Sequence, residues 1–280
     1  DHRALLGTTG TPTMGGLVAA NVSGPRRISV GACRDFMLGV RLVDGAGNII
    51  KNGGRVMKNV TGYDLVKLMT GAYGTLGVLT EVSMKVLPNV ETYATVQLHG
   101  LSDADAIKAM SAALGSPFEA TGLAHFPKDA VTMIRVEGFA DSVTYRADKL
   151  RDLLTPFGEV TIVNGDAADW QAVRDVRAFA GQDGDVWRFS VKPSDAAALV
   201  AKMDAKAVQY DWGGGLIWAL TEEGRDLRAA VGPFDGHATL IRGSADVPTF
   251  QPEAPALAAI TTGLRAKFDP RGILNPGIMT

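Results

Sequence analysis

The residues best suited to chemistry in this sequence are small ones, gathered between Gly7 and Gly24. Glycine lets a backbone approach a ligand closely, and its N–H groups can then donate to phosphate or carbonyl oxygens. Gly15-Gly16, with the apolar residues after them, predict a turn that leads into a short helix. The start of such a helix suits a phosphate or the polar edge of a ring. An ordinary Gly/Thr-rich turn is the alternative.

The glycines are unevenly distributed along the chain. Fifteen of the 33 glycines fall before residue 80, and the other 18 are spread over the following two hundred positions. This distribution predicts an early region shaped by close backbone approaches and a later region shaped by ordinary packing.

Five motifs, in order along the chain, carry a family resemblance. They are Pro-Thr-x-Gly-Gly-(x)3-Ala-Asn-x-Ser-Gly ending at Gly24, Arg34-Asp35-Phe36, Lys58-Asn59-x-x-Gly62-Tyr63-Asp64-Leu65, Gly74 to Thr80, and Phe268 to Gly277. The first four resemble the FAD-binding domain of the vanillyl-alcohol-oxidase (VAO) type. The last resembles the C-terminal signature of the FAD-linked oxidase branch of that family.

Four shorter segments resemble, more narrowly, the FAD-binding subunits of bacterial glycolate oxidases (glycolate dehydrogenases). They are Gly24-Pro25-Arg26-Arg27, Val56-Met57-Lys58-Asn59, Asp211-Trp212-Gly213-Gly214 and Gly236-His237-Ala238-Thr239. Together, the matches run from residue 7 to residue 277 and cover nearly the whole chain.

The resemblance implies an α+β fold: the second half of a VAO/PCMH-type FAD-binding domain plus an α+β cap domain with an antiparallel sheet. We expect residues 1–91 to form the second sub-domain of the flavin domain, 92–243 the cap, and 244–280 a linker and the return to the flavin domain. The chain opens on Asp1 and enters the glycine stretch almost at once. We therefore expect the N-terminal sub-domain, whose loop would wrap the pyrophosphate, to be missing from this sequence.

Hydrophobic periodicity and breaker residues independently predict alternating strands and helices. Strands are predicted at 36–43, 77–87, 92–98, 131–139, 159–163, 186–191, 207–212 and 215–220. Helices are predicted near 63–70, 102–115, 141–155, 166–180, 194–205, 222–231 and 254–268. Asp44-Gly45-Ala46-Gly47 predicts a hairpin turn, and the prolines in 244–256 predict an extended linker. Such alternation favours an antiparallel sheet covered by helices.

The resemblance implies FAD as the cofactor. The residues expected to bind it are Thr13, Gly15, Gly16, Ala20, Asn21, Ser23, Gly24, Gly77, Val78 and Asn275. The glycines would supply backbone donors, and Val78 would wall the flavin ring. The alternatives are structural: Asn21 as a helix cap, Val78 as core, and Asn275 as a turn residue before proline.

Catalysis on a 2-hydroxy acid needs a base for the hydroxyl proton and a cation for the carboxylate. Among the four histidines, His237 is the remaining candidate base, with Arg242 near it as the candidate cation. Related catalytic flavoproteins carry a histidine pair with an acidic residue at this point, and here Thr239 to Arg242 occupy that place. We therefore expect no metal site, and we favour a structural role for His237.

Several other residues have open interpretations. The basic patch of Arg26, Arg27 and Arg34 could neutralise flavin phosphates, bind an acidic partner or simply be solvated. Cys33 is expected to be a packed thiol. Trp212, beside three glycines, predicts either a tight turn between strands or a contact surface for a partner subunit.

Composition bounds the function. A net charge of −2 and an isoelectric point near 6.1 give no reason to expect nucleic acid. No apolar run reaches membrane-spanning length, and the one cysteine excludes an internal disulfide and suits the cytoplasm. The resemblance implies a catalytic flavoprotein subunit and an iron–sulfur subunit as partners, with peripheral membrane association through them as an option. Two hypotheses remain: an FAD-binding subunit of a 2-hydroxy-acid dehydrogenase, or a non-catalytic structural subunit.

Overall fold

The computed structural model describes residues 2–58, 62–165 and 167–279. Its strands are β1 Met37–Val43, β2 Ile49–Gly53, β3 Val78–Met84, β4 Thr92–His99, β5 Gly122–Phe126, β6 Val131–Gly138, β7 Glu159–Asn164, β8 Asp185–Val191, β9 Ala207–Asp211, β10 Leu216–Thr221 and β11 Gly236–Arg242. Its helices are α1 Arg3–Leu6, α2 Met14–Ala19, α3 Arg27–Val30, α4 Cys33–Phe36, α5 Leu65–Met69, α6 Asp103–Leu114, α7 Ala140–Leu154, α8 Ala167–Asp175, α9 Pro193–Val200, α10 Leu227–Val231 and α11 Pro255–Phe268.

The chain divides into two compact units. The smaller unit comprises residues 10–23, 31–88 and 251–280, and the larger comprises 1–9, 24–30 and 89–250. The segment 24–30 and residues 244–250, which the sequence assigned to the flavin domain and to the linker, both group with the larger unit. The assignment of the two units to a flavin domain and a cap stays a prediction.

The smaller unit is built on a three-stranded antiparallel sheet in the order β2-β1-β3. The predicted hairpin joins β1 to β2, and the Asp44 carboxylate fixes it by accepting hydrogen bonds from the backbone N–H groups of Ala46 and Asn48. A core that includes Val40, Leu42 and residues of α2 and α5 lies on the sheet. Local turn chemistry thus sets the register of these strands.

The larger unit is built on an eight-stranded antiparallel sheet in the order β11-β8-β10-β9-β5-β6-β4-β7. One of its faces carries Leu123, Ile134 and Ile217 and packs under the apolar sides of α6, α7 and α9. Residues directly opposite each other in a sheet share a face. The strand register therefore identifies which side chains lie on the other face.

That other face is partly charged. Arg135 lies opposite Thr95 and Gly122, and Arg188 lies opposite Trp218 and Thr239. Helix α8 covers part of this face through Trp170 and Val173, which pack on Ala124 and Met133. We call this side of the eight-stranded sheet the charged face.

The predicted α+β class with an antiparallel sheet is confirmed. The predicted helix after Ser102 begins there because the Ser102 hydroxyl accepts a hydrogen bond from the Asp105 N–H at 3.2 Å. The helix predicted at 222–231 instead begins at Leu227, because the Asp226 side chain caps it. Strands β5 and β11 were not predicted. Both contain glycine and histidine rather than a run of β-branched residues.

Two predicted features include residues outside the described ranges. The Lys58-Asn59 motif includes Asn59, and the predicted helix at 166–180 starts at Asp166. The described part of that helix, α8, ends at Asp175 and is followed by a 3₁₀ turn at Arg177–Phe179.

Candidate functional site

The glycine stretch enters the six-residue helix α2, as the sequence predicted. Thr13 caps this helix, since its hydroxyl accepts a hydrogen bond from the Gly16 N–H at 3.0 Å. A Cβ added at Gly15 would lie 3.7 Å from the carbonyl oxygen of Leu79, so α2 runs close to the start of β3. Gly16 is exposed. The start of α2 is therefore a surface of open backbone beside a strand end.

Two of the expected flavin ligands use their side chains within the protein. Asn21 has a left-handed backbone, with φ of 49°, and its Oδ1 accepts a hydrogen bond from the Arg34 N–H at 3.0 Å. The Ser23 hydroxyl accepts from the N–H of Cys33 at 3.1 Å. These bonds hold the glycine stretch against α4, which makes shaping the loop the demonstrated role of both side chains.

The C-terminal turn joins the same region. The Asn275 side-chain amide donates to the carbonyl oxygen of Tyr73 at 2.6 Å, and Asn275 also has a left-handed backbone, with φ of 42°. The N–H of Tyr73 donates in turn to the carbonyl oxygen of Ala19, the last residue of α2, at 2.9 Å. A continuous chain of hydrogen bonds thus runs from the C-terminal turn to the glycine stretch.

Gly77 and Val78 lie at the start of β3. A Cβ on Gly77 would overlap the Leu42 side chain and lie 3.1 Å from the carbonyl oxygen of Val43, so only glycine fits without a shift. Val78 is 57% exposed, and Met14 on α2 is 55% exposed. Exposed apolar side chains beside open backbone make a surface suited to a flat ring.

Nine of the ten predicted flavin ligands lie in the smaller unit, and Gly24 lies in the larger. Ala20 ends α2, where its N–H donates to the carbonyl oxygen of Gly16. In the larger unit, the Gly24 carbonyl accepts a hydrogen bond from the indole of Trp212 at 3.1 Å. The flavin-binding role of all ten residues stays a prediction.

The charged face carries the candidate base His237. Desolvation of the ring, reinforced by the positive charges of Arg188 and Arg27, lowers the pKa of His237. An imidazole with a lowered pKa is neutral at pH 7 and able to accept a proton. The guanidinium carbons of Arg27 and Arg188 lie 4.2 and 5.4 Å from the centre of the Trp212 ring. A neutral histidine and two cations therefore share this part of the face.

Arg242 is engaged elsewhere. Its guanidinium donates to the carbonyl oxygens of Leu5 and Gln182, each at 2.6 Å, and lies within 3.4 Å of those of Phe179 and Gly184. The hydrogen bonds from this one guanidinium connect α1 and the loop at Gln182 to β11. The catalytic role predicted for Arg242 remains untested, and the geometry demonstrates a structural one.

Other sequence interpretations now have structural outcomes. Cys33 is buried, and burial raises the pKa of its thiol, as a packed cysteine requires. Trp212 is only 7% exposed and lies in a 3₁₀ turn between β9 and β10. The turn interpretation is confirmed. Other residues of the same protein cover the Trp212 ring, and a partner contact at this turn stays a prediction.

Metal ligation and membrane insertion can be examined within the described ranges. Among the residues with described positions, no group of three or more His, Cys, Asp or Glu side chains is arranged to hold a metal ion. None of the described helices combines the length and the apolar character needed to cross a bilayer.

Sequence reasoning missed Arg188 and Arg135 as candidate functional residues. Each of these arginines has apolar residues on both sides in its strand. This alternation is typical of a residue on the solvent-facing side of an ordinary strand. Arg135 is 11% exposed at its side chain and forms an ion pair with Glu137. The available signal was the pair Arg135 and Glu137 at i and i+2, which places opposite charges on one face of one strand.

Comparison with known proteins gives a consistent set of relatives, although no family model matches the chain. The chain is 40% identical over 270 residues to glycolate oxidase subunit GlcE of Escherichia coli strain K12, which covers 95% of this chain and 71% of that protein. It is 42% identical over 84 residues to glycolate oxidase subunit GlcD of Bacillus subtilis strain 168, covering 30% of this chain and 18% of that protein.

A solved structure shares the fold. The VAO-type flavoprotein MtVAO615 from Myceliophthora thermophila C1 superposes with a TM-score of 0.60 at 12% identity, covering 93% of this chain and 59% of that one. At this identity the likeness establishes the fold alone. The chain therefore has a VAO-type fold over nearly all of its length.

Proposed function

The chain belongs to the family of glycolate oxidase subunit GlcE, and from this we propose that it is the FAD-binding subunit of a multi-subunit glycolate (2-hydroxy acid) dehydrogenase. In this proposal it supports the oxidation of glycolate to glyoxylate and passes electrons to partner subunits. The partners are a catalytic flavoprotein subunit and an iron–sulfur subunit, and the complex is cytoplasmic or held at the membrane through them. The name of the relative, a subunit of an oxidase, supports this assembly.

One observation carries the flavin part of the proposal. The start of α2 at Gly15 and Gly16, the exposed side chain of Val78 and the turn at Asn275 belong to one unit. Hydrogen bonds through Tyr73 and Ala19 join the turn to α2, and α2 runs close to the start of β3, which carries Val78. These segments are far apart in sequence but belong to the same unit, and a shared ligand would explain why they come together. A flat ring with a polar edge matches an apolar wall beside backbone donors.

The residues present fit such a group. Val78 and Met14 would contact the ring, and backbone N–H groups near Gly15 would face its polar atoms, while Asn21 and Ser23 would hold the loop in shape. Bound FAD would supply the acceptor for the hydride equivalent that leaves the α-carbon of the substrate. The protein's own contribution is to bind the ring, orient it and exclude water.

The sequence favoured a structural role for His237. From its surroundings on the charged face, we propose instead that neutral His237 accepts the hydroxyl proton and that Arg188 or Arg27 attracts the carboxylate. The lowered pKa of His237 and the nearby guanidinium groups support these roles. Arg242 contributes by fixing the loops around β11 rather than by contacting substrate.

A second candidate function is a structural subunit that keeps the flavoprotein fold and leaves the chemistry to a sister subunit. The engagement of Arg242 by four backbone carbonyls favours it, because one of the two residues expected to act in catalysis is already used for structure. Both candidates keep the same fold and differ in whether bound flavin takes part in turnover.

The decisive experiment uses the full-length protein, alone and with its partner subunits. We expect the purified subunit to be yellow and to release FAD on denaturation. Val78→Glu should abolish FAD binding by placing a charge where the ring packs. Ile49→Glu is the matched control, because Ile49 is 65% exposed on β2 of the same sheet. Colourless protein that binds no added FAD would contradict the flavin proposal.

The same variants separate the two candidates. Complexes are assembled with Val78→Glu, Ile49→Glu or wild-type subunit, and glycolate-dependent reduction of an artificial acceptor is measured. Loss of activity only with Val78→Glu supports a flavin that takes part in turnover. Full activity in an assembled complex with the FAD-free variant supports the structural subunit.

A further inference from the structure

A cavity of about 340 Å³ lies within the larger unit, on the charged face. Its lining residues are Gly24, Pro25, Arg26, Tyr93, Arg135, Trp170, Gln171 and Arg174. Of these, Gly24 was predicted to contact the flavin, and Arg26 belongs to the basic patch whose interpretation the sequence left open. The other six have no assigned ligand. Three arginines and two aromatic side chains around one cavity form an unusual combination, and the arginines differ in how well their charges are compensated.

Arg174 is neutralised by its neighbour in sequence. Its guanidinium forms two bonds with the carboxylate of Asp175, from Nε to Oδ1 at 2.7 Å and from an Nη to Oδ2 at 3.1 Å. This bidentate pairing lowers the pKa of Asp175, so its charge is present at neutral pH. Asp175 Oδ2 also lies 3.5 Å from an Nη of Arg177, but its two short bonds are to Arg174. Arg174 is therefore the best compensated of the three arginines that line the cavity.

Arg26 and Arg135 share a single carboxylate. An Nη atom of Arg26 lies 2.7 Å from Glu137 Oε1, and an Nη atom of Arg135 lies 3.2 Å from Glu137 Oε2. The Glu137 side chain is only 8% exposed and that of Arg135 only 11%. Two guanidinium groups against one carboxylate leave one positive charge uncompensated in this trio. Water reaches Arg26, whose side chain is 39% exposed, but screens Arg135 poorly.

The nearest other carboxylate does not restore the balance. Asp211 lies near enough to Arg135 to interact electrostatically, but burial raises the pKa of Asp211 to about 7. At neutral pH it therefore carries only part of a negative charge. Desolvation also lowers the pKa of Arg135 itself, which is the expected response of a cation that lacks a full counter-charge.

The donor groups of the two arginines are incompletely satisfied. Arg26 Nε is buried and donates no hydrogen bond to any described residue, and the Arg135 Nη that forms the ion pair with Glu137 makes no hydrogen bond of good geometry. Buried N–H groups of charged side chains are costly to leave unpaired. An anion that accepted from Arg26 Nε and lay beside the Arg135 guanidinium would satisfy this donor and the excess charge together.

The aromatic and apolar side chains that line the cavity favour an organic anion over an inorganic one. The guanidinium carbon of Arg135 lies 5.1 Å from the centre of the Trp170 ring, and Tyr93 and Pro25 add apolar surface. The indole of Trp170 is fixed by its hydrogen bond to the Thr95 hydroxyl at 2.8 Å. An inorganic phosphate would leave these walls unfilled, whereas a small organic acid places its carboxylate on the arginines and its carbon atoms on the rings.

We propose that this cavity is a binding site for a small organic carboxylate, held by Arg26 and Arg135 against Trp170. Binding to the site needs neither flavin nor turnover, so the proposal stands or falls independently of the proposed function. The carboxylate would accept from Arg26 Nε and lie beside the guanidinium of Arg135, whose charge the shared Glu137 only partly compensates.

The test titrates the full-length protein with acetate, glycolate and 2-hydroxyisobutyrate and follows tryptophan fluorescence. 2-Hydroxyisobutyrate carries no hydrogen on its α-carbon, so it cannot be oxidised during the measurement. Trp170→Phe identifies the part of the signal that comes from the cavity. We expect saturable binding of the organic acids and weaker binding of inorganic phosphate and sulfate.

Matched arginine variants locate the site. Arg26→Gln removes a charged donor and should weaken carboxylate binding about tenfold or more, whereas Arg174→Gln removes a charge already neutralised by Asp175 and should weaken it less than about threefold. Arg26→Lys keeps the charge without the Nε donor and should fall between them. Circular dichroism and thermal unfolding verify that each variant folds.

Three outcomes would overturn the proposal: no saturable binding of any organic acid to the folded wild-type protein, unchanged affinity in folded Arg26→Gln, or inorganic phosphate binding as tightly as the organic acids. Loss of binding in Arg26→Gln with retention in Arg174→Gln would support it, whether the protein is purified yellow or colourless.

Discussion

The indole Nε1 of Trp212 donates a hydrogen bond to the carbonyl oxygen of Gly24 at 3.1 Å. This bond links the end of the glycine stretch to a turn almost two hundred residues later in the chain. The guanidinium carbon of Arg27 lies over the same ring, 4.2 Å from its centre. The segment 24–30 is thus anchored on the charged face by a tryptophan whose position is set by a Gly-rich turn.

We predict that Trp212→Phe destabilises the protein more than Trp187→Phe, by about 1 kcal/mol, in equilibrium denaturant unfolding. Both rings are buried and each has an arginine guanidinium over it, Arg27 on Trp212 and Arg228 on Trp187. They differ because Trp187 Nε1 is buried without a hydrogen-bond partner among the described residues. Equal losses in the two variants would show that the bond to Gly24 adds nothing.

Gly77 offers a second prediction. Gly77→Ala should cost about 1–3 kcal/mol of unfolding free energy, because its Cβ would overlap Leu42 and crowd the carbonyl oxygen of Val43. Gly263→Ala is the matched control. Gly263 lies inside α11 with no atom within 4 Å of the added Cβ. That variant should gain about 0.5–1 kcal/mol.

Denaturant unfolding measures both alanine variants under the same conditions. Opposite signs are the expected result, since the two changes share their chemistry and differ only in surroundings. A neutral Gly77→Ala would mean that the start of β3 relaxes easily, and it would weaken the case for Gly77 as a position reserved for close packing.

The sequence predicted most of the regular elements because their signals are local. Ser102 with Asp105 marks a helix start, and Asp44 marks a hairpin, through hydrogen bonds that form within a few residues. The family resemblance added the fold and the expected flavin ligands. The fold is confirmed, and glycines such as Gly77 occupy positions where the surroundings leave no room for a side chain. The flavin ligands stay a prediction.

The site could not be predicted in full because its contacts are distant in sequence. Arg26 reaches Glu137 across more than one hundred residues, and nothing in the local pattern of either residue indicates the partner. From the sequence, Arg26 was therefore only one of three arginines in a basic patch whose interpretation stayed open. The segment 24–30 groups with the larger unit for the same reason, since long-range packing and not sequence neighbourhood decides its place.

Asp211 supports a prediction about pH. Burial raises its pKa in the folded state to about 7, well above the usual range for Asp in an unfolded chain. The folded state therefore holds this proton more tightly than the unfolded state. Its contribution to stability is fully present below the unfolded pKa and is lost as the pH rises towards the folded pKa.

Asp211→Asn should remove this dependence while keeping an oxygen that can accept from the Trp212 N–H. Between about pH 5 and pH 8 we expect wild-type protein to lose unfolding free energy relative to the variant, on the order of 1–3 kcal/mol. Urea unfolding at several pH values measures the difference, and the other titrating groups largely cancel. Parallel curves for the two proteins would rule out a raised pKa at Asp211.

Asn275 gives the most specific prediction for the C-terminal turn. Its φ of 42° favours glycine or asparagine, and its amide donates to the Tyr73 carbonyl oxygen at 2.6 Å. Asn275→Gly keeps the backbone conformation and loses only the bond, whereas Asn275→Ala loses the bond and adds strain. We expect unfolding free energy to fall by about 1 kcal/mol in the first variant and by about 2 kcal/mol in the second.

FAD affinity should follow the same order as stability if the turn supports the ring, because the bond to Tyr73 fixes the loop that also contacts α2 through Ala19. Equilibrium titration of FAD into each flavin-free variant measures this. The glycine and alanine variants separate two causes, since both lack the side-chain amide and only one has a strained backbone. If both bound FAD as tightly as wild type while losing stability as expected, Asn275 would be a fold residue alone, and the flavin contact would lie with Val78 and the glycine stretch.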